Sequence, residues 1–381
     1  FRGVSTRMFW AWNPDTLDWV GAQEPNISGT AYTNGTGANL LSDGSQYVYY
    51  LRGGNTNGLL RFDTVGNSWS SMTNGLGNFN TDTFGVKAGS NLYFLRSGTI
   101  VERYSIAGNS WSTMAVLPAS VGNGGGLAYP GSGDYIYALR GSGTAAFYRY
   151  SISGNSWDDA AVADLPSSPQ ATVANIGARM VSDGTDLYAV MGLGSGRLMK
   201  YTIGTNTWSE LTTAPFAAYY GTALEYRSGK IYALAGYYKD DFYEYNIAGN
   251  SWRKLQDTQI THTANAGAYN GASLAALGST IYAIRGAAVA ANTDFWAYTV
   301  SSNNYVSSGT YTSEVIDFTY VSAWVSLSSN TTTGSDSSIS IETRNSTDNV
   351  SWTSYQALSG TSIQSAVGRF IQVKVTFNAS S

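Results

Sequence analysis

Few residues in this chain could do chemistry. There is one histidine, His262, and no cysteine, so disulfides, thiolate metal sites and cysteine nucleophiles are excluded. Zinc sites lack the ligands they need. A serine–histidine–acid triad would have to use His262, which sits in the polar run QDTQITHTANAG and reads as an ordinary loop residue rather than a general base. Four arginines, Arg52, Arg96, Arg140 and Arg285, recur at equivalent places in a repeat. They could form a basic arc for a carboxylate. The alternative is that repetition copied a structural arginine, paired locally with acids such as Asp63 or Glu102. The aromatic and polar runs AAYYG and GYYKDDFY offer binding rather than catalysis. Tyr219, Tyr220, Tyr237 and Tyr238, with Lys239, Asp240 and Asp241, place exposed rings beside hydrogen-bonding groups, the usual means of stacking on sugar rings. Trp352 is a further candidate of this kind. No catalytic, metal or cofactor site is expected.

These residues hang on a repeat. An aromatic is followed seven positions later by a second aromatic in Trp12/Trp19, Phe62/Trp69, Tyr104/Trp111, Tyr150/Trp157, Tyr201/Trp208, Tyr245/Trp252 and, less cleanly, Tyr298/Tyr305. The intervals from Trp19 through Trp252 are 50, 42, 46, 51 and 44 residues. Between them, VYYLR 48–52, LYFLR 92–96, IYALR 136–140, LYAVM 187–191, IYALA 231–235 and IYAIR 281–285 align without gaps. Apolar groups on both faces mark these as strands sandwiched between neighbouring sheets, so Tyr49, Tyr93, Tyr137, Tyr188, Tyr232 and Tyr282 are expected in the core. Turn residues precede each strand and glycine follows it. Each unit is thus four short antiparallel strands, and such a unit repeating every 40–50 residues or so implies a β-propeller.

The glycine after the second strand, the later aromatic and the tryptophan together resemble the kelch repeat over about residues 29–308. The glycine pair is intact only at Gly53-Gly54. The expected fold is all-β: a kelch-like propeller followed by a small β-sandwich or jelly roll. Six complete units argue for six blades, and the half-unit at 9–19 could complete a seventh. Residues 1–28 are expected to be a hairpin, connector or partial blade, 29–308 the propeller, and 309–381 the small module. In that module GRFIQVKVTF puts Phe370, Gln372, Lys374 and Thr376 on one face. RNSTDNVSWTSY and GRFIQV resemble discoidin-type carbohydrate-binding modules and the small β domains of phage fibres. Among kelch-type enzymes, galactose oxidase holds copper with histidine and a cysteine-linked tyrosine, a site this composition cannot build. Sialidases are propellers with Asp-box turns, and Ser346-Thr347-Asp348…Trp352 comes near that pattern outside the propeller.

Charged residues are 12% of the 381, the net charge is −4, and no basic block is present, so neither nucleic acid nor an anionic membrane has an electrostatic footprint. No apolar run approaches the ~20 residues of a membrane-spanning helix. The first residue, Phe1, suggests a processed product or a portion of a longer chain. N-x-S/T sequons at Asn26, Asn34, Asn330, Asn345, Asn349 and Asn378 are expected by chance in so Asn-, Ser- and Thr-rich a chain. These features together lead us to expect a non-enzymatic structural and adhesive protein. It would lie on a virion or outside the cell, as a phage or virus fibre, tail or capsid-decoration component. Its partners would be host-surface glycans or proteins and other subunits of a homo-oligomeric or larger assembly. The alternatives are a secreted bacterial surface or filament protein and a glycan-cleaving, sialidase-like propeller.

Overall fold

The computed structural model describes residues 19–21, 25–27, 30–31, 35–81, 83–96, 98–167, 173–255, 268–286, 295–299, 308–323, 326–327 and 337–379. His262, Trp12, Tyr305 and Trp324 lie outside them. All regular structure among the described residues is β. The chain divides into two compact units, 17–300 and 1–16 with 301–381.

The first unit holds six four-stranded antiparallel sheets, plus a small ladder of Asn26–Ile27 with Thr30–Ala31. In five sheets the strands run in chain order from an inner to an outer edge. The inner strands are Asn39–Ser42, Phe84–Ala88, Gly126–Ala128, Arg179–Ser182, Ala223–Arg227 and Ser273–Leu277. Each lies beside the next, and the sixth returns to the first. This closed order is propeller-like. Its core is six apolar clusters, each drawn from two successive sheets. The six second-strand tyrosines named above are all buried there.

The sixth sheet is completed from the other end of the chain. Strand Trp19–Gly21 pairs with Phe295–Thr299, and Trp19 stands opposite Tyr298. That is the register of Tyr104 with Trp111 and of Tyr150 with Trp157. The partner expected for Tyr298 was Tyr305; the half-unit ending at Trp19 supplies it instead. A ring closed by strand pairing hides an edge that would otherwise be open to other chains.

The seven-residue aromatic spacing has a local cause. In Tyr150–Trp157 the two rings pack at a tilt across the outer hairpin, with centroids 5.0 Å apart and planes at 44°. Between them Asn155 turns the chain at φ 45°, a left-handed conformation that asparagine tolerates. Its Oδ1 accepts both the Tyr150 hydroxyl at 2.7 Å and the Ala115 N–H at 2.8 Å. Trp157 Nε1 donates to the Ala115 carbonyl at 2.9 Å. Both backbone groups of one residue in the preceding sheet's exit are therefore held. Asn109 and Trp111 hold Thr73 in the same way. Asn206 and Trp208 hold Ala163, and Asn250 and Trp252 hold Thr212.

In the second unit the described residues form one five-stranded antiparallel sheet. Strand Gly368–Ala379 pairs with Ser308–Thr312, Ile316–Ser322 and Ser337–Ser346, and Gln356–Ala357 pairs with the last of these. Gln372 and Lys374 stand opposite Arg344 and Glu342. Arg344 donates to Gln372 Oε1, and Lys374 pairs with Glu342. Residues 347–351 form a bend between Ser346, the last residue of its strand, and Trp352, and these two residues pair as an isolated bridge. Asp348 accepts the Val350 and Ser351 N–H groups and the Ser346 hydroxyl, which hold its carboxyl at about 2.

Candidate functional site: a tyrosine-lined ring end and a polar channel

In four of the sheets, among the described residues, two kinds of segment meet at one end: the link between second and third strands, and the entry into the next inner strand. Hydrogen bonds join them at equivalent places around the ring. Asn55, Gly143, Gly194 and Tyr238 donate to Phe79, Ala174, Ala218 and Ala268 respectively. All four donors have positive φ, as do Gly54, Ser142, Leu193 and Tyr237 just before them. Small residues take most of these places. In the fifth sheet they are Tyr237 and Tyr238, at φ 53° and 62°. Left-handed backbone disfavours an aromatic side chain by roughly 1 kcal/mol or more. The Tyr237 N–H is fixed by the Tyr220 carbonyl at 2.7 Å and the Tyr238 N–H by Ala268 at 3.0 Å. Gly236 opens the turn at φ 77°, where a Cβ would come 2.4 Å from the Thr222 nitrogen.

This turn brings together tyrosines from three segments. Tyr219 lies 5.0 Å from Tyr237 and 5.8 Å from Tyr220, between ring centroids. Tyr220 lies 5.5 Å from Tyr269. Tyr238 stacks on Tyr269 at 4.2 Å and 13°. The hydrogen bond that the Tyr269 hydroxyl donates to Tyr238, then burial, push that hydroxyl up to about 12. Tyr237 is 53% exposed, and Tyr219, Tyr220, Tyr238 and Tyr269 are half-buried. Tyr269 was not among the expected residues, because nothing in sequence spacing links it to Tyr238.

The other expected residues divide. Lys239 is exposed beside the cluster and its carbonyl accepts the Ala268 N–H at 2.9 Å. Asp240 is half-buried. Asp241 pairs with Lys254 of its own sheet at 2.6 Å. Trp352 belongs to the other compact unit, where the Arg344 guanidinium lies 4.8 Å from its ring centre. Of the repeated arginines, Arg96 pairs with Glu102 at 2.9 Å and Arg140 donates to the Ser120 carbonyl, the local pairing weighed against a basic arc. Asp63 instead caps its own turn and binds Gln46. Among the described residues no group of three or more His, Asp or Glu could hold a metal ion.

The inner strands enclose a channel with a cavity of about 340 Å³. Their inner edges carry backbone N–H groups without sheet partners, and side chains of the preceding sheet reach some of them. Ser273 accepts from Leu40, Asn39 from Gly85, and Glu225 from Ala276. Glu225 is an exception in the repeat: the aligned positions are Leu41, Val86, Ala128, Val181 and Ala275, all lining the same channel. It keeps some surface toward the cavity, but protein surrounds it closely, and desolvation raises its carboxyl to about 8, only partly opposed by the Ala276 N–H. Comparing the inner-strand positions across the six units would have exposed this acid in the sequence.

No protein-family model matches the chain, and no curated protein matches it. Many solved structures do. The one titled "Structure of YjhT" superposes with a TM-score of 0.57 at 14% identity, over 71% of this chain and 96% of that one. A structural-genomics protein of unknown function from Bacteroides thetaiotaomicron superposes at 0.51 and 12% identity, over 75% of this chain and 72% of that one. At such identities the likeness concerns the fold alone.

Proposed function

We propose that this chain is a non-enzymatic recognition protein: a kelch-type, six-bladed propeller with a small β-sandwich module, acting on a virion or outside the cell as a fibre, tail or decoration component. The ring end that carries Tyr219, Tyr220, Tyr237, Tyr238 and Tyr269 is its glycan-binding face. One observation carries the reading. Two tyrosines occupy left-handed positions that sibling turns fill mostly with small residues, and they complete an aromatic surface built from three segments. Strained backbone of this kind concentrates at binding sites. Aromatic faces flanked by hydroxyls suit pyranose rings. Low charge and an Asn-, Ser-, Thr- and Gly-rich surface fit an exposed structural part. The test is a glycan array probed with the whole chain and with Tyr237→Ala and Tyr238→Ala. Binding by the parent that both variants lose supports the reading. Equal binding by all three, or turnover of a glycan, overturns it. A retaining or inverting glycosidase needs two carboxyl groups about the scissile bond, and among the described residues the channel has only Glu225.

A further inference from the structure

Tyr238 and Tyr269 stand apart from the other aromatic pairs. Their ring centroids are 4.2 Å apart and their planes 13° from parallel. Every other tyrosine pair in ring contact among the described residues is separated by at least 5.0 Å and tilted by at least 43°. The Tyr269 hydroxyl donates to Tyr238, so the stacked rings also point the same way. The ring carbons beside the two hydroxyls are therefore neighbours. Those carbons, with the oxygen, carry the unpaired electron of an oxidised tyrosine. Both side chains are half-buried and keep some surface open. The backbone beside them is tied as well: the Tyr238 N–H donates to the Ala268 carbonyl at 3.0 Å, and the Ala268 N–H to the Lys239 carbonyl at 2.9 Å. Tyr238 belongs to the link before the third strand of the fifth sheet, and Tyr269 to the entry into the sixth. That seam departs from the repeat. Asn67, Asn109, Asn155, Asn206 and Asn250 each stand two residues before a tryptophan, but the residue two before Trp19 is Leu17, whose side chain has no hydrogen-bond acceptor.

We propose that Tyr238 and Tyr269 are an oxidative cross-linking site, at which hydrogen peroxide, delivered through a one-electron oxidant such as a peroxidase, joins the two rings by a carbon–carbon bond and staples the fifth sheet to the sixth. Each phenol gives up its hydroxyl proton and one electron. One hydrogen peroxide takes both pairs and becomes two waters. The two radicals couple through the carbons beside their oxygens. Each of those carbons then passes its hydrogen to the oxygen of its own ring, which restores two phenols. The product has lost two hydrogen atoms and nothing else. As the bond forms the rings swing from face-to-face toward edge-on, outward from the half-exposed ring end. A bridge between residues 238 and 269 closes a loop of chain, and such a closure stabilises by restricting the unfolded state, as a disulfide does. This chain has no cysteine with which to make one. The site stands independently of whether the same tyrosines bind a glycan.

The test treats the whole chain with hydrogen peroxide and a peroxidase. The reaction is run dilute, so that exposed tyrosines such as Tyr311 and Tyr320 do not join one molecule to another. Dityrosine fluorescence, mass spectrometry of tryptic peptides and thermal melting read the outcome. The expected product is a monomer two hydrogens lighter, in which fragmentation places the bond between Tyr238 and Tyr269, and which melts above the untreated chain. Tyr269→Phe keeps the stack but should lose both that peptide and the rise in melting temperature. Tyr237→Phe should keep both. Coupling of Tyr238 to Tyr237 in place of Tyr269, no coupling within the monomer, or a bridged monomer that melts no higher than the untreated chain overturns the proposal.

Discussion

Trp157 Nε1 donates a 2.9 Å hydrogen bond to the carbonyl of Ala115, forty-two residues earlier in the chain and one sheet back in the ring. The Ala115 N–H is held by Asn155, two residues before that tryptophan. Aromatic burial alone would seat one sheet against the next without fixing where it sits. This pair of bonds fixes it.

Asn155→Ala should therefore cost more than its modest burial suggests. It leaves the Tyr150 hydroxyl and the Ala115 N–H without partners, and half-buried unsatisfied groups together cost about 1–3 kcal/mol. Trp157→Phe, which removes one bond and some ring area, should cost at least about 1 kcal/mol. Urea melts followed by tryptophan fluorescence and circular dichroism measure both. A loss below about 0.5 kcal/mol for Asn155→Ala would show that the clamp is ornamental.

Removing residues 1–21 should harm the fold far more than an ordinary terminal truncation. It deletes the strand paired with Phe295–Thr299 and opens a sheet edge to other chains. The expected result is a lower melting temperature and concentration-dependent aggregation by size-exclusion chromatography. A truncated chain that stays monomeric with unchanged melting would contradict ring closure.

Tyr237→Gly separates stability from binding. Glycine relieves a φ of 53° while losing the ring that packs on Tyr219. These effects oppose each other, so stability should move by less than about 1 kcal/mol, while glycan binding falls at least tenfold.

Stability should depend on pH through Glu225. Burial raises its carboxyl in the folded chain to about 8 from the ordinary glutamate value of 4.5. Between these values the folded state holds a proton that the unfolded state has lost. The contribution is complete below pH 4.5 and declines as pH rises through 8. Glu225→Gln should remove that decline, read from denaturant midpoints at pH 5, 6.5 and 8.

The repeat was legible because its signals are local. The outer hairpin puts Tyr150 opposite Trp157, and a seven-residue offset records that directly. The double role of Asn155 was hidden, because its second partner lies in another sheet. Closure by Trp19 could be read only as a half-unit, since a strand does not announce a partner nearly 280 residues away. Tyr219, Tyr220, Tyr237 and Tyr238 were visible as pairs of rings in loops, but their union with Tyr269 depends on the turn that Gly236 begins. Trp352 stood out by type alone, and the structure sets it under Arg344.

The grip on Thr73, Ala115, Ala163 and Thr212 falls just after each outer strand, before the chain crosses to the next inner one. Whatever length is added downstream of that grip is carried by the crossing alone, leaving the alignment of the sheets untouched. The crossing after Ala163 is already longer than those after Thr73 and Thr212. Such a molecule can rewrite one rim through insertion and deletion on a frame that never has to be re-tuned.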